Sequence, residues 1–412
     1  MTTSDTKFSG YLMAALAAVI FFAVMGIGYI TLSLYLPSLV AEMDANVGII
    51  SVMFGVLSAT SMICSFASGA VVGKIGIQKV IMIGVAGILL GYIVLCLSTN
   101  IYMVFAAAAL AGVGLSWSGT ICVGNVVPNW FIDKQGTMVG LVVASCGVGG
   151  LVGSPTISWI MSLYGWRTAC LVTVVFMTIL LVPASLLIKG KPADVGQVPL
   201  GYRENTDSET QELPGISFNV ANKTGTFWLL VLMFVAFSML VSGLNPHVAN
   251  FIQSKPNFDI VFAGTIVAVF SVTNIIGSIL LGTINDRLGT KAAVVFSAAA
   301  GLLCLVFMMF ADTTAVAITF AVFFGLANPA AGALVPLIIG PCFGYKAFPQ
   351  LLGIYNGVVA FTGIVAPIII GVLVTMTDAY TLAIWILLAC VVIALTMGLL
   401  GIAASKKLMR QQ

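Results

Sequence analysis

Charge is scarce in this sequence. Of 412 residues, 16 are Lys or Arg, 13 are Asp or Glu and one is His, so 7% of the chain is charged against 60% hydrophobic. A soluble domain carries several times that share of charge over its core, and a mean hydropathy of +1.16 lies outside what such a domain reaches. With one histidine and no carboxylate pair on any helix, acid–base catalysis has nothing to work with. No glycine-rich phosphate cradle is present for an ATP-driven pump either. The eight cysteines form no CxxC pair, so they read as small buried hydrophobes, and neither a metal nor a cofactor is implied.

Long apolar runs take up the space instead. Twelve follow one another, near 11–36, 47–73, 79–98, 100–127, 135–163, 166–188, 225–252, 259–284, 290–310, 314–340, 348–375 and 379–403, none with Lys, Arg, Asp or Glu in its middle. Most reach the roughly 20 residues that cross a bilayer as a helix. They lack period-two alternation, and backbone polar groups in lipid must be satisfied within their own segment, so the runs are helices. The expectation is an all-α membrane protein with twelve transmembrane helices whose solvent is the lipid bilayer. The first run is too long for a cleaved signal and reads as a span.

Basic residues collect on the side where translocation is refused. All sixteen except Arg167 and Lys255 fall on the side shared by both ends of the chain, which predicts a multi-pass protein of the cell membrane with both termini cytoplasmic. Topology therefore accounts for the net charge of +3, and no nucleic-acid partner is implied.

Residues 189–224 form the only long polar segment and read as a cytoplasmic linker, rich in Pro and Gly among charges of both signs. It separates six spans, 1–188, from six more, 225–412. Sliding one half over the other at an offset of 213 aligns Gly69 with Gly282, Gly76 with Gly289, Gly112 with Gly325, Pro128 with Pro341 and Gly140 with Gly353. One register held this far marks an internal repeat, hence two pseudo-symmetric six-helix bundles. Parallel repeats of this kind suit a carrier that binds its solute near the midplane and exposes it alternately to each side.

The segment Gly282, Asp286, Arg287, Gly289, Lys291 after the eighth span resembles the G-x-x-x-D-R-x-G-x-K loop signature of the major facilitator superfamily. Its copy after the second span reads Gly69, Gly73, Lys74, Gly76, Lys79, with Gly73 at the acidic position. Glycines there suit a tight turn and close helix approach, and an Asp beside cations can form a charge latch on the cytoplasmic face. A narrower resemblance runs along nearly the whole chain. It rests on Gly26 to Tyr29 with Tyr35 and Pro37, on Asn129-Trp130-Phe131 with Asp133, Lys134 and Gly136, on the ladder Gly140, Gly147, Gly149, Gly150 and Gly153, and on Gly165-Trp166-Arg167. These are similar to the branch of monocarboxylate porters and oxalate–formate exchangers.

The resemblance implies a secondary active transporter for a small organic solute, of monocarboxylate type, coupled to protons or to a counter-substrate. In the superfamily the first, fourth, seventh and tenth helices line the cavity. Here they offer Tyr29, Thr31, Ser33, Tyr35, Trp117, Asn125, Asn245, His247 and Asn328 as substrate-binding candidates. Asn274 on the eighth helix and Tyr355 and Asn356 on the eleventh break the symmetry of the repeat and join them. His247 is the one embedded group that titrates near neutrality, which makes it the proton-coupling candidate. Members of the branch hold a carboxylate with a cation on the eighth helix, whereas this chain has no Lys or Arg between Lys255 and Arg287 or between Lys346 and Lys406. A neutral or zwitterionic metabolite, and drug efflux, are the alternatives that follow.

Overall fold

The computed structural model describes residues 9–131, 135–200, 215–344, 346–377 and 379–409. Lys7, Asp133, Lys134, Arg203, Asp378, Arg410 and the middle of the linker lie outside the described residues. Among those described, the chain is helical, with only two isolated bridges and no strand.

Eleven helical runs are long and apolar enough to cross a membrane. They are α1 (Gly10–Glu42), α2 (Val47–Ile75), α3 (Ile77–Cys96), α4 (Ile101–Trp130), a run to Leu187, α7 (Gly225–Gln253), α8 (Ile260–Leu288), α9 (Thr290–Met309), α10 (Thr314–Ala331, continued by Leu334–Phe343), α11 (Phe348–Thr377) and α12 (Thr381–Met409). The run Gln135–Leu187 is two helices, because Gly165 sits at φ 80, ψ 165 inside it. A side chain would strain that backbone, so the glycine ends α5 (135–164) and lets α6 (166–187) begin, which makes twelve. Arg167 fixes the corner by donating from Nη2 to the Ser98 carbonyl at 2.6 Å while its guanidinium lies 4.5 Å from the Trp166 ring centroid.

The repeat register is carried by whole elements. Helices α2 and α8, α3 and α9, and the first segments of α4 and α10 (Ile101–Gly114 and Thr314–Ala327) start and stop at residues that differ by 213. The turns between them match in conformation, with Gly76 at φ 84, ψ 156 and Gly289 at φ 83, ψ 171. The turn role expected of these glycines therefore holds. The close-approach role does not extend to Gly69 or Gly282, where an added Cβ meets nothing within 4 Å.

By contact density the chain forms two compact units, one built from residues up to Leu32 with Ala59–Ser208, the other from Ser33–Ser58 with Glu209 onward. In the first, α1 lies against α5 so closely that a Cβ on Gly26 would stand 2.6 Å from the Cys146 carbonyl oxygen and the Gly149 Cα. In the second, α8 meets α10 where Thr273 Oγ1 fills the notch at Gly325 and donates to the Ala321 carbonyl at 3.4 Å. Each linker end is tied to its own unit. The Leu200 N–H donates to the Trp130 carbonyl at 3.0 Å, and the Ile216 N–H to the Phe343 carbonyl at 2.9 Å. Trp130 and Phe343 are mates at the same offset of 213.

Candidate functional site

Four transmembrane helices abandon regular α geometry in mid-span, and they are the first, fourth, seventh and tenth. In α1 the backbone widens to a π-helix over Phe22–Tyr29, then tightens to a 3-10 helix over Ile30–Tyr35. In α4, π-helical turns cover Leu115–Thr120 and Cys122–Val126. In α7 a 3-10 turn covers Asn245–His247, and in α10 another covers Asn328–Ala331. Such segments leave carbonyls and N–H groups without their i to i+4 partners and are concentrated at functional sites. Tyr29, Tyr35, Trp117, Asn125, Asn245, His247 and Asn328 all fall inside them.

Within the first unit the widening of α1 has a steric cause. Gly26 is pressed on Gly149, and Gly28 on Ile88 with its carbonyl accepting from the Tyr92 hydroxyl, so the ladder glycines let α5 and α3 reach the α1 backbone. Tyr29, at the end of that segment, is half-buried. Trp117 is anchored rather than free, since its indole N–H donates to the Cys64 carbonyl at 2.9 Å. Asn125 is exposed. Asn129 and Trp130, part of the branch-like motif, donate to the Gly190 and Lys189 carbonyls at 2.9 Å each, so these two hold the start of the linker.

In the second unit both tight turns begin Asn-Pro. Each turn holds a proline, which supplies no N–H for an α-helical bond, while Asn245 and Asn328 before them keep α-region φ/ψ. Asn245 is half-buried. Asn328 has its Nδ2 buried and without a hydrogen-bond partner among the described residues. His247 is fully buried, its Nε2 3.0 Å from the Pro367 carbonyl and 3.4 Å from Ser51 Oγ, while Nδ1 has no hydrogen-bond partner among the described residues. The carbonyl accepts only if Nε2 carries the proton, so the ring is the neutral Nε2–H tautomer with Nδ1 as an unused acceptor.

His247 sits at a seam that sequence reasoning missed. The start of α2 lies against the end of α11, where a Cβ on Gly371 would meet Ser51 Oγ at 2.6 Å and Gly48 Cα at 3.0 Å. The Gly48 N–H donates to Thr375 Oγ1 at 3.0 Å, and Gly55 faces Ile364 and Ile368. The only signal for this seam is the glycine and serine spacing on α2, which equally suits any close helix pair.

The remaining candidates separate. Tyr355 is fully buried, its hydroxyl donates to the Phe227 carbonyl at 3.1 Å, and its ring packs on Phe227 and Phe234, so it is committed to joining α11 to α7. Asn356 beside it is exposed, and Asn274 on α8 is half-buried. Lys74, Asp286 and Arg287 are exposed, and none of them forms an ion pair among the described residues.

A family model described as Major Facilitator Superfamily matches residues 16–341. An uncharacterized transporter of the same superfamily, YhjX of Escherichia coli K12, is 25% identical over 294 residues, 69% of each chain. Monocarboxylate transporter 12 of Xenopus laevis is 23% identical over 349 residues, 80% of this chain and 75% of that one. Among solved structures, an inward-facing bacterial homologue of the lysosomal transporter Spinster superposes with a TM-score of 0.72 at 12% identity, covering 98% of both chains. The nucleoside transporter NupG superposes with a TM-score of 0.71 at 14% identity, covering 96% of this chain and 99% of that one. Twelve spans, a repeat in fixed register and a family match over most of the chain lead to one conclusion: the protein belongs to the Major Facilitator Superfamily.

Proposed function

We propose that the chain is a secondary carrier that moves a small organic solute, a monocarboxylate-type metabolite, across the cytoplasmic membrane, with both termini cytoplasmic and with protons or a counter-substrate as the coupled species. Its working halves are residues 1–188 and 225–412, joined by the linker 189–224. The observation that carries this reading is the coincidence of broken helical geometry with polar and aromatic groups on α1, α4, α7 and α10. There the side chains Tyr29, Asn125, Asn245, His247 and Asn328 supply hydrogen bonds that a bare apolar helix lacks. Asn274 and Asn356 add to them, whereas Tyr355 contributes packing. Likeness to monocarboxylate transporter 12 favours the solute class.

Coupling is assigned to His247. Its Nε2 proton is spent on closing the seam between α2 and α11, and Nδ1 is the one free position for a second proton. A proton added there charges a ring that is now enclosed, so the protonated form favours the state in which the seam has parted and the ring meets water. External protons would thereby promote the outward-open state.

In proteoliposomes carrying an inward proton gradient, labelled lactate should accumulate, and His247→Gln should abolish accumulation while retaining exchange against internal lactate. Full accumulation by that variant would return His247 to a purely structural role. A second reading, a neutral solute, draws on the absence of Lys and Arg from the membrane spans of α8 and α11. It predicts uptake that is flat with pH and competed by uncharged analogues.

A further inference from the structure

Where the second unit's helices end away from the linker, a cavity of about 570 Å³ is lined by Tyr380, whose ring stands 6.1 Å from that of His247. That volume falls within the range of small-molecule sites. Its walls divide by chemistry. Met308, Met309, Val374 and Ile384 form an apolar side. The same cavity is lined by Asn46, Asn250, Lys255 and Tyr380.

The donors are largely unspent. Asn250 Nδ2 donates to the Tyr380 hydroxyl at 2.6 Å, which uses the phenol as acceptor and leaves its proton free to be given to a ligand. Asn46 accepts the Ile49 N–H with Oδ1 at 2.9 Å, and a side-chain amide used as acceptor keeps two N–H donors. Lys255 Nζ is 2.7 Å from Asp312 Oδ1, and the two side chains are unequally placed, 24% exposed for the lysine and 68% for the aspartate. Exposed ion pairs of this kind are weak, so Asp312 can swing into water at little cost and free the ammonium. The Phe251 ring, 5.7 Å from Nζ, keeps the ammonium at the wall.

We propose that this cavity is an outer binding site for a monocarboxylate with an apolar body. Its carboxylate replaces Asp312 on Lys255 and accepts from Tyr380 and Asn46, and its body lies on the methionine side. Lys255 is the last cation before α8 crosses the membrane, so the countercharge absent from the span is supplied at its mouth. The ligand class rests on the carrier reading given above; the cavity, the ion pair and the donors do not.

The test places a cysteine at exposed Ser254, on the rim, and follows its reaction with an impermeant maleimide on intact cells, with the unaltered chain as background. At about ten times its half-saturating concentration, sodium benzoate should slow labelling about tenfold by mass action. Benzamide, which has the same shape without the charge, should not. Lys255→Gln in the same background should remove the protection and Lys255→Arg should keep it, while elution in detergent chromatography at the position of the unaltered chain reports that both variants fold. Equal protection by benzamide, undiminished protection in Lys255→Gln, or no protection by benzoate overturns the outer site. If benzoate protects through Lys255 and no carboxylate is exchanged, the cavity stands and the carrier reading fails, so the two failures are distinguishable.

Discussion

The two halves of this protein hold one register through α2 to α4 and α8 to α10, yet they break the first and fourth helix of each half differently. In the first half the helix widens, with π-helical turns at Phe22–Tyr29, Leu115–Thr120 and Cys122–Val126. In the second, among the described residues, the breaks are 3-10 turns alone, at Asn245–His247 and Asn328–Ala331, whereas α1 adds a 3-10 segment, Ile30–Tyr35, to its π-helical one. The causes differ too. Around Gly26 and Gly28 it is the approach of neighbouring helices, while at Pro246 and Pro329 it is the chemistry of one residue. Duplication thus supplied the scaffold, and the irregular segments diverged within it because local geometry answers to local residues. A copy can keep its helix boundaries and still break its helices differently.

The largest effect is expected where the widening is enforced by contact. Gly26→Leu would drive a side chain into the backbone of Gly149, beyond the about 1–3 kcal/mol of ordinary overpacking because backbone atoms cannot rotate aside. Such a variant should be lost from the folded fraction in detergent chromatography. Gly140→Leu, on the same ladder but with open space at its Cβ, should elute as the unaltered protein does. If both variants fold alike, packing is not what widens α1.

A smaller effect should follow from undoing the tight turn. Pro246→Ala restores a backbone N–H and lets α7 continue as a regular helix, leaving the protein folded. Turnover should fall about tenfold, a barrier increase of about 1.4 kcal/mol, with half-saturation changed only a few-fold. Unchanged turnover would mean that the 3-10 geometry outlives its proline.

The smallest effect lies at the loops. Asp286→Asn should slow exchange about two- to threefold, in line with the modest worth of exposed charges. At the mate position Gly73 a side chain meets nothing within 4 Å, so Gly73→Asp should be tolerated sterically and change exchange by less than Asp286→Asn does. The reverse order would locate the working latch in the first repeat.

Much of the fold was legible in the sequence because lipid imposes a simple rule: long apolar helices and short polar turns. The offset of 213 and the glycine turns at Gly76 and Gly289 came from the same source. The site was legible only in part. Asn-Pro announces the breaks at Asn245 and Asn328, since proline acts through its own covalent structure. Nothing in the residues of α4 announces a π-helical turn. The partners of Gly26, of Ser51 and of Gly325 are distant in the chain, and a local pattern cannot name them. Tyr355 illustrates the cost, since its asymmetry across the repeat suggested solute contact while its hydroxyl in fact holds α7.

The linker's two ends have a consequence for how such a chain can be made. Leu200 and Ile216 each close a main-chain hydrogen bond onto the half from which the linker departs, at residues that are mates in the repeat. Peptide continuity through 201–214 is thus not what finishes either half. A gene cut at that point encodes two products whose linker ends are already tied down, with Ser33–Ser58 of the second unit carried on the first product, and the bilayer confines both to two dimensions, where separately synthesised pieces meet often. The single polypeptide guarantees equal numbers of the two halves more than it guarantees their shape.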